Sequence, residues 1–216
     1  MADLRPQRYT ELAQDFRREG SLMAAGIYYG AASDGWLASF WRLPGNLRDG
    51  YEPPANSPRF LGRAVQDQLA GALCFRLAAA DQRFRSRCRR CALVLDELLE
   101  AGAFDGVSPR VGLLHEGLGD LRLFGELGKH DAAYAKAATQ YETAESVMGW
   151  QAEPEFDSLI RPLMELADSV GYGIGDDERT RISMKSLEAR INYKRDHYPT
   201  IIDAVLDAGN WESDAF

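Results

Sequence analysis

Apolar residues recur along this chain with the period of a helix. Tyr9, Leu12 and Phe16 stand at i, i+3 and i+7, and Ala25, Tyr29, Ala32 and Trp36 at i, i+4, i+7 and i+11, so each set draws one stripe down its own helix. Between them Gly20 suits the left-handed residue that ends a helix and Ser21 the cap that starts one, which predicts two facing helices, Pro6 to Gly20 and Ser21 towards Trp41. Ser57-Pro58 opens a third, in which Val65, Leu69, Leu73 and Leu77 recur every four residues, and Asp81 caps a fourth that ends at Gly102. Ser108-Pro109 opens a helix closed by Gly128, and Asp131 caps one closed by Gly149. Pro154 starts the next, with a kink or restart expected at Pro162; Asp176-Asp177 cap another that Pro199 is expected to break, leaving a short last helix ending at Gly209. No run of alternating β-branched residues lies between turns. The pattern predicts an all-α chain of about eight or nine helices arranged as antiparallel hairpins.

Residues 43–57 lack this period and are rich in Pro and Gly. They read as a loop between an N-terminal hairpin and the main helical body, within one domain spanning 1–216, with 210–216 as a flexible tail.

The first hairpin resembles a tetratricopeptide repeat. Tyr9, Leu12, Ala13 and Phe16 match the aromatic-Leu-small-aromatic signature of that family's first helix, and Ala25, Tyr29 and Ala32 the Ala-aromatic-Ala signature of its second. Within 112–148, Leu121, Phe124 and Gly125, then Ala137, Tyr141 and Ala144, repeat it less completely. Leu37 stands where the family's closing Pro belongs, and the turns near 20, 81, 128 and 173 are spaced more widely than the ~34-residue repeat. The resemblance implies an irregular array of helical hairpins with a concave surface that binds another protein.

A net charge of −8 argues against wholesale coating of nucleic acid. MADLRPQRYTEL has no apolar core of a signal peptide, and the most apolar run, LAGALCFRLAAA, is interrupted by Arg76, so a cytoplasmic protein without a membrane span is the expectation. Against the acidic background one segment is basic: Arg83, Arg85, Arg87, Arg89 and Arg90 fall within eight positions that hold no acid. Such arginines either pair with acids on neighbouring helices or meet an acidic partner. Tyr28 points away from Tyr29 on its helix, and with Trp41 it is the other candidate for a partner contact.

Cys88 and Cys91 share a helical face but lack a second pair for a zinc site, and read as buried thiols. His115, Glu116, Asp120, Glu126 and His130 lie close in sequence without the Glu-x-x-His spacing of a di-iron bundle. Gly171, Gly173 and Gly175 follow no strand and read as a turn. No catalytic residue, cofactor or metal is called. The expectation is a non-enzymatic scaffold or adaptor that captures a protein, with an acidic segment as the favoured partner and self-association as another. A nucleic-acid-associated subunit using the arginine helix is the alternative.

Overall fold

The computed structural model describes residues 5–41, 57–143, 154–209 and 211, and among these every regular element is a helix. Residues 43–56 of the predicted loop, the end of the helix expected at Gly149 and most of the tail lie outside them, and residue 57 already begins a helix. The α-helices are α1 Pro6–Arg18, α2 Leu22–Trp41, α3 Ser57–Leu77, α4 Asp81–Glu100, α5 Ser108–Phe124, α6 His130–Glu142, α7 Pro154–Ser169, α8 Asp176–Thr180 and α9 Leu187–Ala208, with a π-helical turn, Arg181–Lys185, between the last two. None is long and apolar enough to cross a membrane.

Small residues set how closely these helices pack. Ala13, Ala25, Tyr29 and Ala32 are wholly buried. Pro6, at the start of α1, lies against Gly35, late in α2, while Phe16 at the other end meets Tyr28 with ring centroids 5.1 Å apart. Helix α2 therefore turns back along α1. On its other side Gly26 faces the ring of Phe75, Gly71 faces the Gly26 carbonyl, and Ser33 donates to the Ala64 carbonyl at 2.8 Å. With α1 on one flank and α3 on the other, α2 loses the simple two-faced pattern of a surface helix.

The α5–α6 pair shows the same device with larger consequences. Gly112 and Gly119, two turns apart on α5, lie under the rings of Tyr141 and Tyr134 on α6. A Cβ on Gly119 would stand 2.3 Å from Tyr134 Cε1, inside van der Waals contact. In an exposed helix Gly→Ala gains about 1 kcal/mol. Here the sign reverses: Gly119→Ala is expected to destabilise by about 1–3 kcal/mol, since the ring is enclosed and its hydroxyl is tethered. Urea melts that show the alanine variant equal to or above wild type would contradict this packing.

Three boundaries differ from the sequence expectation. Helix α5 stops at Phe124, and Gly125, Glu126 (φ 51°) and Gly128 (φ 73°) turn the chain so that α6 begins at His130 behind a left-handed Lys129. Pro199 does not break α9, which continues to a left-handed Gly209. A proline inside a helix costs about 3 kcal/mol, yet the continuing turns bury Ile201, Ile202 and Val205, each contributing about 1.5–3 kcal/mol. Burial wins. The break comes instead at Ser186, which is extended (φ −150°, ψ 116°) and whose side chain accepts from the Ala189 amide at 3.0 Å, an N-cap with a free choice of backbone that Pro199 lacks. Helix α7 likewise runs through Pro162 as one element, which buries Leu163 and Leu166 beyond it.

Trp211 docks back on the body. It is buried, and the Arg17 guanidinium lies 4.4 Å from its ring centroid.

Candidate functional site

Among the described residues, three of the four exposed large apolar side chains, Met23, Ile27 and Trp41, stand on α2. Met23 and Ile27, one turn apart, are 39% and 42% exposed, although side chains of this kind contribute to stability when buried. With Leu22, Ala24 and the Gly20-Ser21 turn they line a depression of about 580 Å³ closed on one side by Ala78, just past α3. Phe75, buried, packs on Gly26 and has the Arg83 guanidinium of α4 6.0 Å from its ring centroid.

Helix α4 presents its arginines in two directions. Arg87 and Arg90 both bind Asp34 of α2, while Arg85 and Arg76 both bind Glu126 beyond α5. Arg83 and Arg89 are exposed and have no carboxylate partner among the described residues. The five arginines are thus not one patch: three are held by acids of this chain and two are available. Leu93, 56% exposed, follows Arg89 by one turn.

The two aromatic candidates are not brought together. Tyr28 is half-buried, set against Phe16 and, at 6.2 Å, Tyr9, so its ring belongs to the α1–α2 contact. Trp41 is 46% exposed at the end of α2, edge-on to Phe40.

Cys74, Cys88 and Cys91 are free and buried, and burial pushes the Cys91 thiol up to about 12 and Cys88 further. That leaves little thiolate at neutral pH. The described residues hold no group of three metal-ligating side chains.

Of the His and acid set, the structure brings together Glu116 and Asp120, but in a role the local sequence did not show. Both are wholly buried on α5, one turn apart, and α9 crosses them with wholly buried Arg190 and Lys194, also one turn apart. Arg190 binds Glu116; Lys194 Nζ lies 2.8 Å from Glu116 and 2.6 Å from Asp120. From α6, Tyr141 donates to Glu116 and Tyr134 to Asp120, each at 2.7 Å, while Arg190 and Lys194 donate to the Phe156 and Leu159 carbonyls of α7. Burial works to raise Glu116, but the charges of Arg190 and Lys194 prevail and hold it below the usual carboxylate range. Burial pushes Asp120 up to about 6 against the pull of Lys194. With four helices meeting on it and its four charged side chains wholly buried, this cluster ties elements together. His115 and Glu126 are not part of it; His130 lies edge-on to Tyr134 on the outer side.

No family model, no curated protein and no solved structure matches this chain. The residues themselves carry the functional reading. Met23 and Ile27 escape a sequence search for contact residues because their i, i+4 spacing looks the same as that of a core stripe; the exposed side of α2 is decided by α1 and α3, which occupy the others.

Proposed function

We propose that this protein is a non-enzymatic adaptor that captures an acidic amphipathic segment of another protein on the outer side of α2, in the manner of a tetratricopeptide-like helical surface. The observation behind this reading is that Met23 and Ile27 are exposed on α2, while Arg83, which has no carboxylate partner among the described residues, lies over the ring of Phe75, which itself packs on Gly26 of α2. An apolar depression on α2 with an exposed arginine on the neighbouring helix α4 fits a segment whose apolar face enters and whose carboxylates meet guanidinium. The buried Ala13, Ala25, Tyr29 and Ala32 support the comparison with the repeat family, since small residues at those places let α1 and α2 approach.

The test uses the partner recovered with the full chain at native ionic strength, its contact segment mapped and made as a peptide. Ile27→Asp is expected to weaken that peptide by about tenfold or more, by replacing apolar contact with a like charge, and Arg83→Glu to weaken it comparably. Both residues are exposed, so circular dichroism should not change. An acidic peptide that binds both variants as it binds wild type would end the reading. A partner indifferent to Ile27 whose binding collapses with added salt would transfer it to nucleic acid.

A further inference from the structure

A second concave site lies on the opposite flank of α2, where α1, α3 and α7 converge. It is a cleft of about 390 Å³, the size of a small-ligand pocket. Its walls carry Arg59 and Arg63, one turn apart on α3, and Arg161 from α7. Three guanidinium groups sharing one cleft repel each other unless acids intervene, and two of the three have no carboxylate partner among the described residues. Asp157 pairs with Arg161 at 2.5 Å, and Glu11, which also lines the cleft, pairs with Arg8 at 2.8 Å. Asp67, in the wall, accepts from Thr10 at 3.0 Å and from the Trp36 indole at 2.9 Å, both on Oδ2. Arg63 has only the neutral Gln66 carbonyl oxygen, at 3.2 Å, and Arg59 has no carboxylate partner among the described residues.

We propose that this cleft binds a small polar molecule through its oxyanion, a carboxylate or a phosphate, with Arg63 and Arg161 as the principal contacts and Arg59 at the entrance. Guanidinium groups match both oxyanions with paired N–H donors. The amides of Gln7, Gln14 and Gln66 supply donors and acceptors to the uncharged remainder. Two electrostatic consequences agree with the geometry. Arg63 is held below its ordinary value by burial and by the charges of Arg161 and Arg59, and burial pushes Asp67 up to about 7 despite its two hydrogen bonds. Below that pH Asp67 loses its charge while the three cations remain, with Glu11 paired to Arg8, Asp157 paired to Arg161, and Glu165, which faces Arg161, pushed up to about 8 by burial. An anion whose own charge is constant over the range is therefore bound more tightly at pH 6 than at pH 8.

The Trp36 indole N–H reports on the cleft, being bonded to its wall. Inorganic phosphate and citrate are titrated separately into the full chain at pH 6, with sodium chloride at matched ionic strength as control, and the indole signals followed by ¹⁵N NMR. The expected result is a saturable shift of Trp36 with one of the two, half-complete at about 1 mM or below, absent with chloride and weakened at least about tenfold in Arg63→Gln. The preferred anion identifies the source as phosphorylated or carboxylated. Arg59→Gln, an exposed position, carries the same expectation should Arg63→Gln fail to fold, and Arg89→Gln, exposed on α4 outside the cleft, should bind as wild type. Equal responses to chloride, no saturable shift, or undiminished binding in the folded arginine variant would each overturn the proposal.

Discussion

Glutamine in place of Glu116 is expected to lower stability by about 3–5 kcal/mol, a large share of the 5–15 kcal/mol typical of a folded domain. The substitution preserves shape and the acceptor for Tyr141, and removes one charge. Before it, two acids and two cations share a wholly buried site. After it, Asp120 can ionise fully against Lys194, but Arg190 keeps its charge, since a guanidinium does not give up its proton, and retains as acceptors only neutral groups. An unpaired buried cation is the source of the penalty. The companion variant Glu116→Gln with Arg190→Met removes both members and should recover part of the loss, giving a coupling of at least about 1 kcal/mol in a double-mutant cycle from urea melts at pH 7. Additive losses would show that the two do not act as a pair.

That experiment also separates stability from register. Buried ion pairs often contribute no more than a well-packed apolar set, so the network is better understood as selecting one alignment of α9 on α5. The acids stand one turn apart at 116 and 120, the cations one turn apart at 190 and 194, and the two tyrosines two turns apart at 134 and 141. Sliding α9 by one turn would set Tyr198 against Asp120 and leave Arg190 with neither acid. Few apolar contacts discriminate so sharply between neighbouring registers.

The second large effect is on pH dependence. Folding carries Asp67 from an ordinary value near 3.8 up to about 7, with burial as the main cause. Between those values the folded chain holds a proton that the unfolded chain has released. Stability from this group is thus complete below about pH 4 and is lost as the pH rises to about 7. At 1.36 kcal/mol per unit the loss is roughly 2–4 kcal/mol, the upper figure assuming no relaxation. Glu165, pushed up to about 8 by burial, extends the fall in the same direction. Asp67→Asn keeps an acceptor for Thr10 and Trp36 and cannot titrate, so its stability should decline less than wild type between pH 5 and pH 8, and should exceed it at pH 8. Urea melts across that range decide the matter; parallel curves would remove Asp67 as the cause.

How far the sequence reaches can be judged from particular elements. The starts of α1, α3, α4, α5 and α7 were legible at Pro6, Ser57-Pro58, Asp81, Ser108-Pro109 and Pro154, because a fixed proline φ and an acid in the first turn act locally; the capping itself was not, since Ala80 and Val107, rather than Asp81 and Ser108, stand at the N-caps of α4 and α5 and no side chain caps them. The stop at Ser186 was misjudged in favour of Pro199, since the outcome rested on how much apolar surface the rest of the network could bury beyond the proline. Angular spacing along a helix puts Arg83, Arg87 and Arg90 on one side and Arg85 and Arg89 on another. Their division between Asp34 and Glu126 was not legible, because Asp34 comes from α2 and Glu126 from the turn after α5, each at least 41 residues away.

Local chemistry alone therefore determined that this chain is helical, where most of its helices begin, and which residues form their apolar stripes. The tertiary structure decided what each remaining side is for: that Glu116 and Asp120 lie inside, that Met23 and Ile27 lie outside, and that Arg59, Arg63 and Arg161 meet in one cleft. A charge is buried only where opposite charges arrive from elsewhere to offset its lost hydration, and an apolar residue is exposed only where neighbouring helices leave it uncovered. Both conditions depend on residues distant along the chain, and no pattern within one helix records them.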